Sequence, residues 1–213
     1  GKMQIAYNGS MNITMPDLTT YNLSNASEKL EAEIRAGIYE SHDAAQQVQY
    51  QAELFEIEKE IARGVNTYWM HRPLRVGVGQ KHSIRLDGGD DAMLYSASLS
   101  YNHVAGVMKG SKRTTISGNV NLSYRYKNLR FQNQLTIDGN NAEESKYGSF
   151  SQYSAMKPYW RVYDENGKLI RNYEITGAVD RVSNPLYNAG LNSKNGSEYT
   201  TITENFYGEW DIN

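Results

Sequence analysis

The sequence predicts a mainly β protein, an antiparallel up-and-down meander interrupted by a helical insertion. Three observations predict it. Apolar and polar residues alternate with period two in six stretches, so each stretch presents one apolar and one polar face. Helical spacing is confined to residues 25–64. Tight turns alternate with long connections, which places all tight turns at one end of the meander and all long loops at the other.

The first strand covers residues 3–15. Met3, Ile5, Tyr7, Gly9, Met11, Ile13 and Met15 alternate with Gln4, Ala6, Asn8, Ser10, Asn12 and Thr14, and Pro16 ends the run because it cannot donate to a ladder. Gly1 reads as a cleavage scar, and a chain that begins inside a strand pattern reads as an excised segment. In the helical insertion, Asn25 with Glu28 three residues on forms a capping box, followed by Leu30, Ile34 and Ile38 at helical spacing. A second helix is predicted from Asp43 to Arg63, with Tyr50, Leu54, Ile57 and Ile61 on one face and Gly64 as its stop.

The second strand, residues 75–87, places Val76, Val78, Ile84 and Leu86 on one face together with Gln80 and His82. Asp87-Gly-Gly-Asp-Asp turns the chain into the third strand, residues 92–103, where Met93, Tyr95, Ala97, Leu99 and Tyr101 share a face. A connection through Asn102–Arg113 leads to the longest alternation. Ile116, Gly118, Val120, Leu122, Tyr124 and Tyr126 mark the fourth strand, residues 114–126; Leu129, Phe131, Leu135 and Ile137 mark the fifth, residues 129–138; Lys127-Asn128 is the turn between them. Residues 139–198 read as a long irregular loop, of a length that in an ordered protein usually serves function. The sixth strand, residues 199–212, carries Ile202, Phe206, Trp210 and Ile212 on one face. Strands of ten or more residues suffice to cross a bilayer when tilted, and long loops opposite tight turns are the pattern of outer-membrane barrels.

Composition narrows the function classes. Hydrophobic residues make up 39% of 213 residues, with 17 Tyr, 18 Gly and no Cys. The net charge of -2 gives no basic footprint for nucleic acid. Absence of Cys excludes disulfides, thiolate metal sites and a Cys nucleophile. No apolar run approaches the roughly 18 residues of a transmembrane helix.

No catalytic constellation is present, and an enzyme is not expected. His42, His71, His82 and His103 match no metal-ligand spacing, and no cofactor is expected. Val76-Gly-Val-Gly-Gln lacks the third glycine and following helix of a dinucleotide site. Asp87, Asp90 and Asp91 lack the spacing of a calcium loop and read as a hairpin turn. The ligand candidates are the loop aromatics Tyr147, Phe150, Tyr153, Tyr159, Trp160 and Tyr163, set among Ser, Asn and Gln. Flat rings beside hydrogen-bonding groups suit a sugar or peptide, but the same rings suit packing of the loop on itself. Tyr7, Tyr101, Tyr124, Tyr126, Phe206 and Trp210, near strand ends, suit a membrane-interface girdle.

Six runs carry a resemblance: Arg63-Gly-Val-Asn-Thr-Tyr-Trp, Leu86-Asp-Gly-Gly-Asp-Asp, Tyr101-Asn-His-Val-Ala-Gly-Val-Met-Lys-Gly-Ser, Tyr147-Gly-Ser-Phe-Ser-Gln-Tyr, Pro158-Tyr-Trp-Arg-Val-Tyr-Asp-Glu-Asn-Gly and Asn184-Pro-Leu-Tyr-Asn-Ala. In this order they resemble the SusC/RagA family of TonB-dependent outer-membrane transporters. The resemblance implies a transmembrane barrel of about 22 strands in the parent protein, filled by an N-terminal plug. It implies import of glycans or peptides across the outer membrane of a Gram-negative bacterium, with a SusD-like surface lipoprotein and the TonB complex as partners. By this resemblance the chain is expected to correspond to the first barrel strands after the plug, without plug or TonB box. Such a segment is not expected to transport alone, and in isolation it is free to pack differently. The alternative is a secreted or surface β-rich carbohydrate-binding module, which predicts a compact monomer with a core between two sheets.

Overall fold

The structure is a computed structural model and describes residues 2–178 and 181–212. In chain order its elements are β1 (Gln4–Thr14), α1 (Ala26–Arg35), α2 (Ala44–Ala62), a 3-10 turn (Trp69–His71), β2 (Gly77–Gly89), β3 (Met93–Ala105), β4 (Lys112–Tyr126) and β5 (Leu129–Glu143). They continue with α3 (Phe150–Ser154), β6 (Asn172–Glu174), β7 (Arg181–Ser183), α4 (Pro185–Ala189) and β8 (Gly196–Trp210). The chain divides into two compact units. One contains β1 to β5 and β8; the other is Pro16–Leu74 with Lys146–Ser193.

The strand unit is one six-stranded sheet in the order β1-β2-β3-β4-β5-β8, antiparallel throughout. It is an open meander, as the alternation predicts. β3 and β4 run further than their apolar pattern, to Ala105 and from Lys112, so the connection expected over 102–113 shrinks to residues 106–111. Main-chain pairing does not need apolar side chains, and Nδ1 of His103 bonds Oγ1 of Thr114 at 2.9 Å across the extended ladder. β5 likewise continues through Gly139-Asn-Asn-Ala to Glu143. The end-to-end asymmetry persists: residues 90–92 and 127–128 turn the chain at one end, while 15–76, 106–111 and 144–195 connect it at the other.

Both tight turns use special backbone. Lys127 adopts φ 54°, the left-handed conformation that a two-residue hairpin demands. In the other turn, Asp90 Oδ1 accepts from the N–H groups of Ala92 and Met93, both at 2.9 Å, and these bonds hold its carboxyl below the usual Asp range. Gly89 sits at φ 128°, and a Cβ there would collide with the Met93 carbonyl oxygen. Gly89→Ala is therefore expected to cost about 2 kcal/mol. The measurement is amide exchange at Leu94 and neighbouring β3 residues, and unchanged protection would refute it.

The loop unit contains the hydrophobic clusters. Trp69, Tyr153, Met156, Val162 and Tyr173 form one; Leu30, Tyr39 and Tyr50 form the other, flanked by Leu54, Ile57 and Ile61 of α2. The predicted capping box is present: Asn25 Oδ1 accepts from Glu28 N and Glu28 Oε2 from Asn25 N, each at 2.9 Å. Of the expected stripe Leu30 is buried and two positions differ. Ile34 and Ile38 are exposed, and the buried residue on that side is Glu33, because two tyrosines and two lysines satisfy its charge. The stretch expected to be irregular holds α3, α4 and the β6–β7 ladder; their bonds depend on single anchors rather than on periodicity.

Candidate functional site

Two surfaces carry chemistry, one in each unit. On the sheet, directly opposed residues of neighbouring strands share a face. One row runs Tyr7, Ile84, Leu99, Gly118, Ile137, Ile202; the next runs Ile5, Leu86, Ala97, Val120, Leu135, Glu204. Toward the tight turns the same face becomes aromatic, with Tyr124 opposite Phe131 and the row Tyr126, Leu129, Trp210. Toward the loops it becomes polar at Thr114, Asn141 and Glu198. The apolar residues thus form a belt. They are open to their surroundings, with Ile202 67% and Phe206 71% exposed, and Ala142 is the one buried hydrophobic of the sheet among the described residues.

The belt does not follow the ladder. Its last apolar residue before the loops is Ile13 on β1 and Val78 on β2, but Ile202 on β8. The ladder row that ends on Ile202 begins at Tyr7, six residues short of Ile13. A slip of six residues over five strand pairings, at roughly 3.3 Å per residue and 4.8 Å between strands, sets the belt about 40° off the perpendicular to the strands. Strands of membrane barrels tilt by that amount, roughly 35–45°. Polar groups within the belt are paired: Asn133 Nδ2 donates to Glu204 Oε1 at 3.0 Å, and Tyr7 Oη bonds His82 Nδ1 at 2.6 Å. The opposite face is rich in hydroxyl and amide groups, cross-linked by Ser117 to Asp138 at 2.6 Å and Asn119 to Thr136 at 2.9 Å.

In the loop unit the six candidate aromatics separate by burial. Tyr153 and Tyr159 are core residues. The Tyr153 hydroxyl donates to the Tyr147 carbonyl at 2.8 Å, and the Tyr159 hydroxyl donates to Glu33 Oε2 at 2.5 Å. Burial pushes both phenols above their ordinary range, and for Tyr159 the Glu33 carboxylate pushes in the same direction. Trp160 is half-buried and stacks on Tyr173, with centroids 4.6 Å apart. Tyr147 is half-buried against the same cluster; Phe150 meets Tyr21 edge-on at 5.9 Å; Tyr163 is exposed. The structure therefore gathers Tyr147, Tyr153 and Trp160 on one cluster and leaves Phe150, Tyr159 and Tyr163 outside it.

Four important groups carry no periodic signal in the sequence. Trp69 Nε1 donates to the Lys157 carbonyl at 2.9 Å. Glu33 accepts from Tyr39 at 3.2 Å and faces Lys157 at 3.1 Å and Lys29 at 3.4 Å. Tyr39, buried beside that carboxylate, is pushed up to about 12 by burial. Asn184, fully buried, donates to the Ile170 carbonyl at 2.8 Å and accepts from Leu186 N at 3.0 Å. Among the described residues no cluster of His, Asp and Glu has the arrangement of a metal site.

An open antiparallel meander with a belted face and a separate loop-built unit has the form of a β-barrel segment. Solved structures similar to it are those of the RagAB peptide transporter, at TM-score 0.71 and 19% identity over 98% of this chain. The RagAB peptide importer in its closed-closed state gives 0.71 and 18% over 99%, and in its open-open state 0.72 and 20% over 100%. In each case the chain spans 26% of the matched chain. At that identity the likeness is one of fold. No protein-family model matches the chain, and no curated protein is similar to it in sequence.

Proposed function

We propose that this chain forms part of the wall and loop surface of an outer-membrane β-barrel transporter that takes up peptides or glycans, and that it works by transport rather than catalysis. The observation that carries this reading is the oblique apolar belt. A covered sheet face in a soluble sandwich has no reason to follow a line about 40° off the ladder, whereas a bilayer cuts tilted strands at that angle. The aromatic rows at Tyr124, Tyr126, Phe131 and Trp210 then lie at the interface on the tight-turn side. The polar face becomes the barrel interior. Similarity in fold to a peptide importer favours peptide over glycan as the cargo. A SusD-like surface lipoprotein and the TonB complex are the partners this reading assigns to the whole transporter.

Lipid with brominated acyl chains tests it. In proteoliposomes of the full-length protein, Trp210 fluorescence is expected to be quenched, and Trp210→Phe is expected to remove that quenched component. Equal emission in brominated and ordinary lipid would reject a bilayer-facing belt. A detergent-free compact monomer would favour the secreted carbohydrate-binding module instead.

A further inference from the structure

Within the loop unit, a cavity of about 360 Å³ opens between the start of α1, the 3-10 turn and residues 153–158. Such a volume lies in the range that holds small ligands. Its floor is apolar and built from Trp69, Tyr153, Met156 and Pro158. The floor is held before any ligand arrives: Trp69 Nε1 bonds the Lys157 carbonyl at 2.9 Å, Thr67 N bonds the Pro158 carbonyl at 2.7 Å, and Thr67 Oγ1 bonds the Trp160 carbonyl at 2.8 Å.

The polar part of the wall carries positive but no negative charge. Among the described residues no Asp or Glu lines it, so its side-chain acceptors are the neutral hydroxyls of Ser24, Thr67, Tyr68 and Ser154. Asn25 and Asn66 spend their side-chain oxygens on backbone N–H groups, of Glu28 at 2.9 Å and Ala26 at 3.1 Å, which leaves their Nδ2 amides as donors. Lys29 adds a cation. It faces Glu33 at 3.4 Å, but Lys157 faces the same oxygen more closely at 3.1 Å, so two ammonium groups share one carboxylate and one positive charge is in excess. The lining hydroxyls can donate or accept and would serve a sugar or a carboxylate alike, so the excess positive charge is what favours a carboxylate.

We propose that this cavity binds the C-terminal residue of a peptide, with its carboxylate on Lys29 and the Asn25 and Asn66 amides and its apolar side chain on Met156 and Pro158. This deepens the peptide-uptake reading and rests on it. The probes are acetyl-Ala-Ala-Leu with a free carboxylate and the same peptide as its C-terminal amide, titrated calorimetrically into the purified full-length protein. The free acid is expected to bind about tenfold tighter than the amide, the scale of one charge-assisted hydrogen bond. Lys29→Met is expected to erase that difference by weakening the acid alone. Asn66→Asp keeps the oxygen that receives Ala26 N and replaces a donor by a negative charge, so it is expected to abolish binding of the acid even if Lys29→Met disturbs the fold. Equal affinity for acid and amide, or acid binding unaffected by Asn66→Asp, overturns the site. Cell uptake separates the two levels: wild-type protein that imports acid and amide equally well rejects this cavity as the carboxylate site, and wild-type protein that imports no peptide rejects the transport reading itself.

Discussion

Trp69→Ala is expected to remove about 4 kcal/mol from the stability of the loop unit, at the upper end of single core truncations. Trp69 is 2% exposed, packs edge-on against Tyr173 at 5.9 Å and satisfies the Lys157 carbonyl through Nε1. Truncation combines three losses: the apolar area of an indole, a cavity among already close-packed rings, and an orphaned carbonyl. Because the chain has two units, a single midpoint is not a sound readout, and residue-level amide exchange is the measurement. Protection at Thr67, whose N–H bonds the Pro158 carbonyl, is expected to fall while β3 and β4 stay protected. Retained protection at Thr67 would place the stability of this unit elsewhere.

Glu33→Ala is expected to cost about 3 kcal/mol, because it strands Lys157 in a largely buried position and leaves the Tyr39 and Tyr159 hydroxyls without their acceptor. The Tyr159 and Trp160 rings lie 5.5 and 5.6 Å from the Lys157 ammonium and soften that cost. The same site makes the loop unit acid-sensitive. Burial alone pushes the Glu33 carboxyl up, but the Tyr159 hydroxyl, Lys157 and Lys29 outweigh it and hold it below its ordinary value of 4.5. A carboxyl lowered in the folded state binds fewer protons folded than unfolded, so its contribution is complete above 4.5 and is lost as pH falls through the lowered value. Exchange protection in α1 is expected to fall through that acid window in the wild type. In Glu33→Gln this part of the pH dependence is expected to vanish, and an unchanged profile would show that Glu33 does not set it.

Legibility differed sharply between the two units. The sheet was readable because each strand presents one apolar and one polar face, so the alternation of Ile116 to Tyr126 reports the face directly. Where β3, β4 and β5 run past the apolar belt, at His103, Thr114 and Asn140, the pattern stops although the ladder does not. In the loop unit, burial depends on isolated anchors. Nothing local distinguishes Tyr153, fully buried, from Tyr163, half exposed, and both are Tyr among polar neighbours. Nothing in the local pattern marks Glu33 as buried, since its partners Lys157 and Tyr159 lie more than 120 residues along the chain. The cavity beside Lys29 was equally hidden, because it joins α1, the 3-10 turn and residues 153–158 from three separate stretches.

By itself the sequence determined the β-meander, the helical insertion with its capping box and the division into a tight-turn end and a loop end. Each rests on interactions within a few residues or on a repeating face. Only the tertiary structure decided the register, and with it the oblique line of the belt, because that line exists only when Ile13 and Ile202 are set on one ladder. It also decided which aromatics are core and which carboxylate is buried, since burial of a polar group is stable only where distant partners arrive to satisfy it.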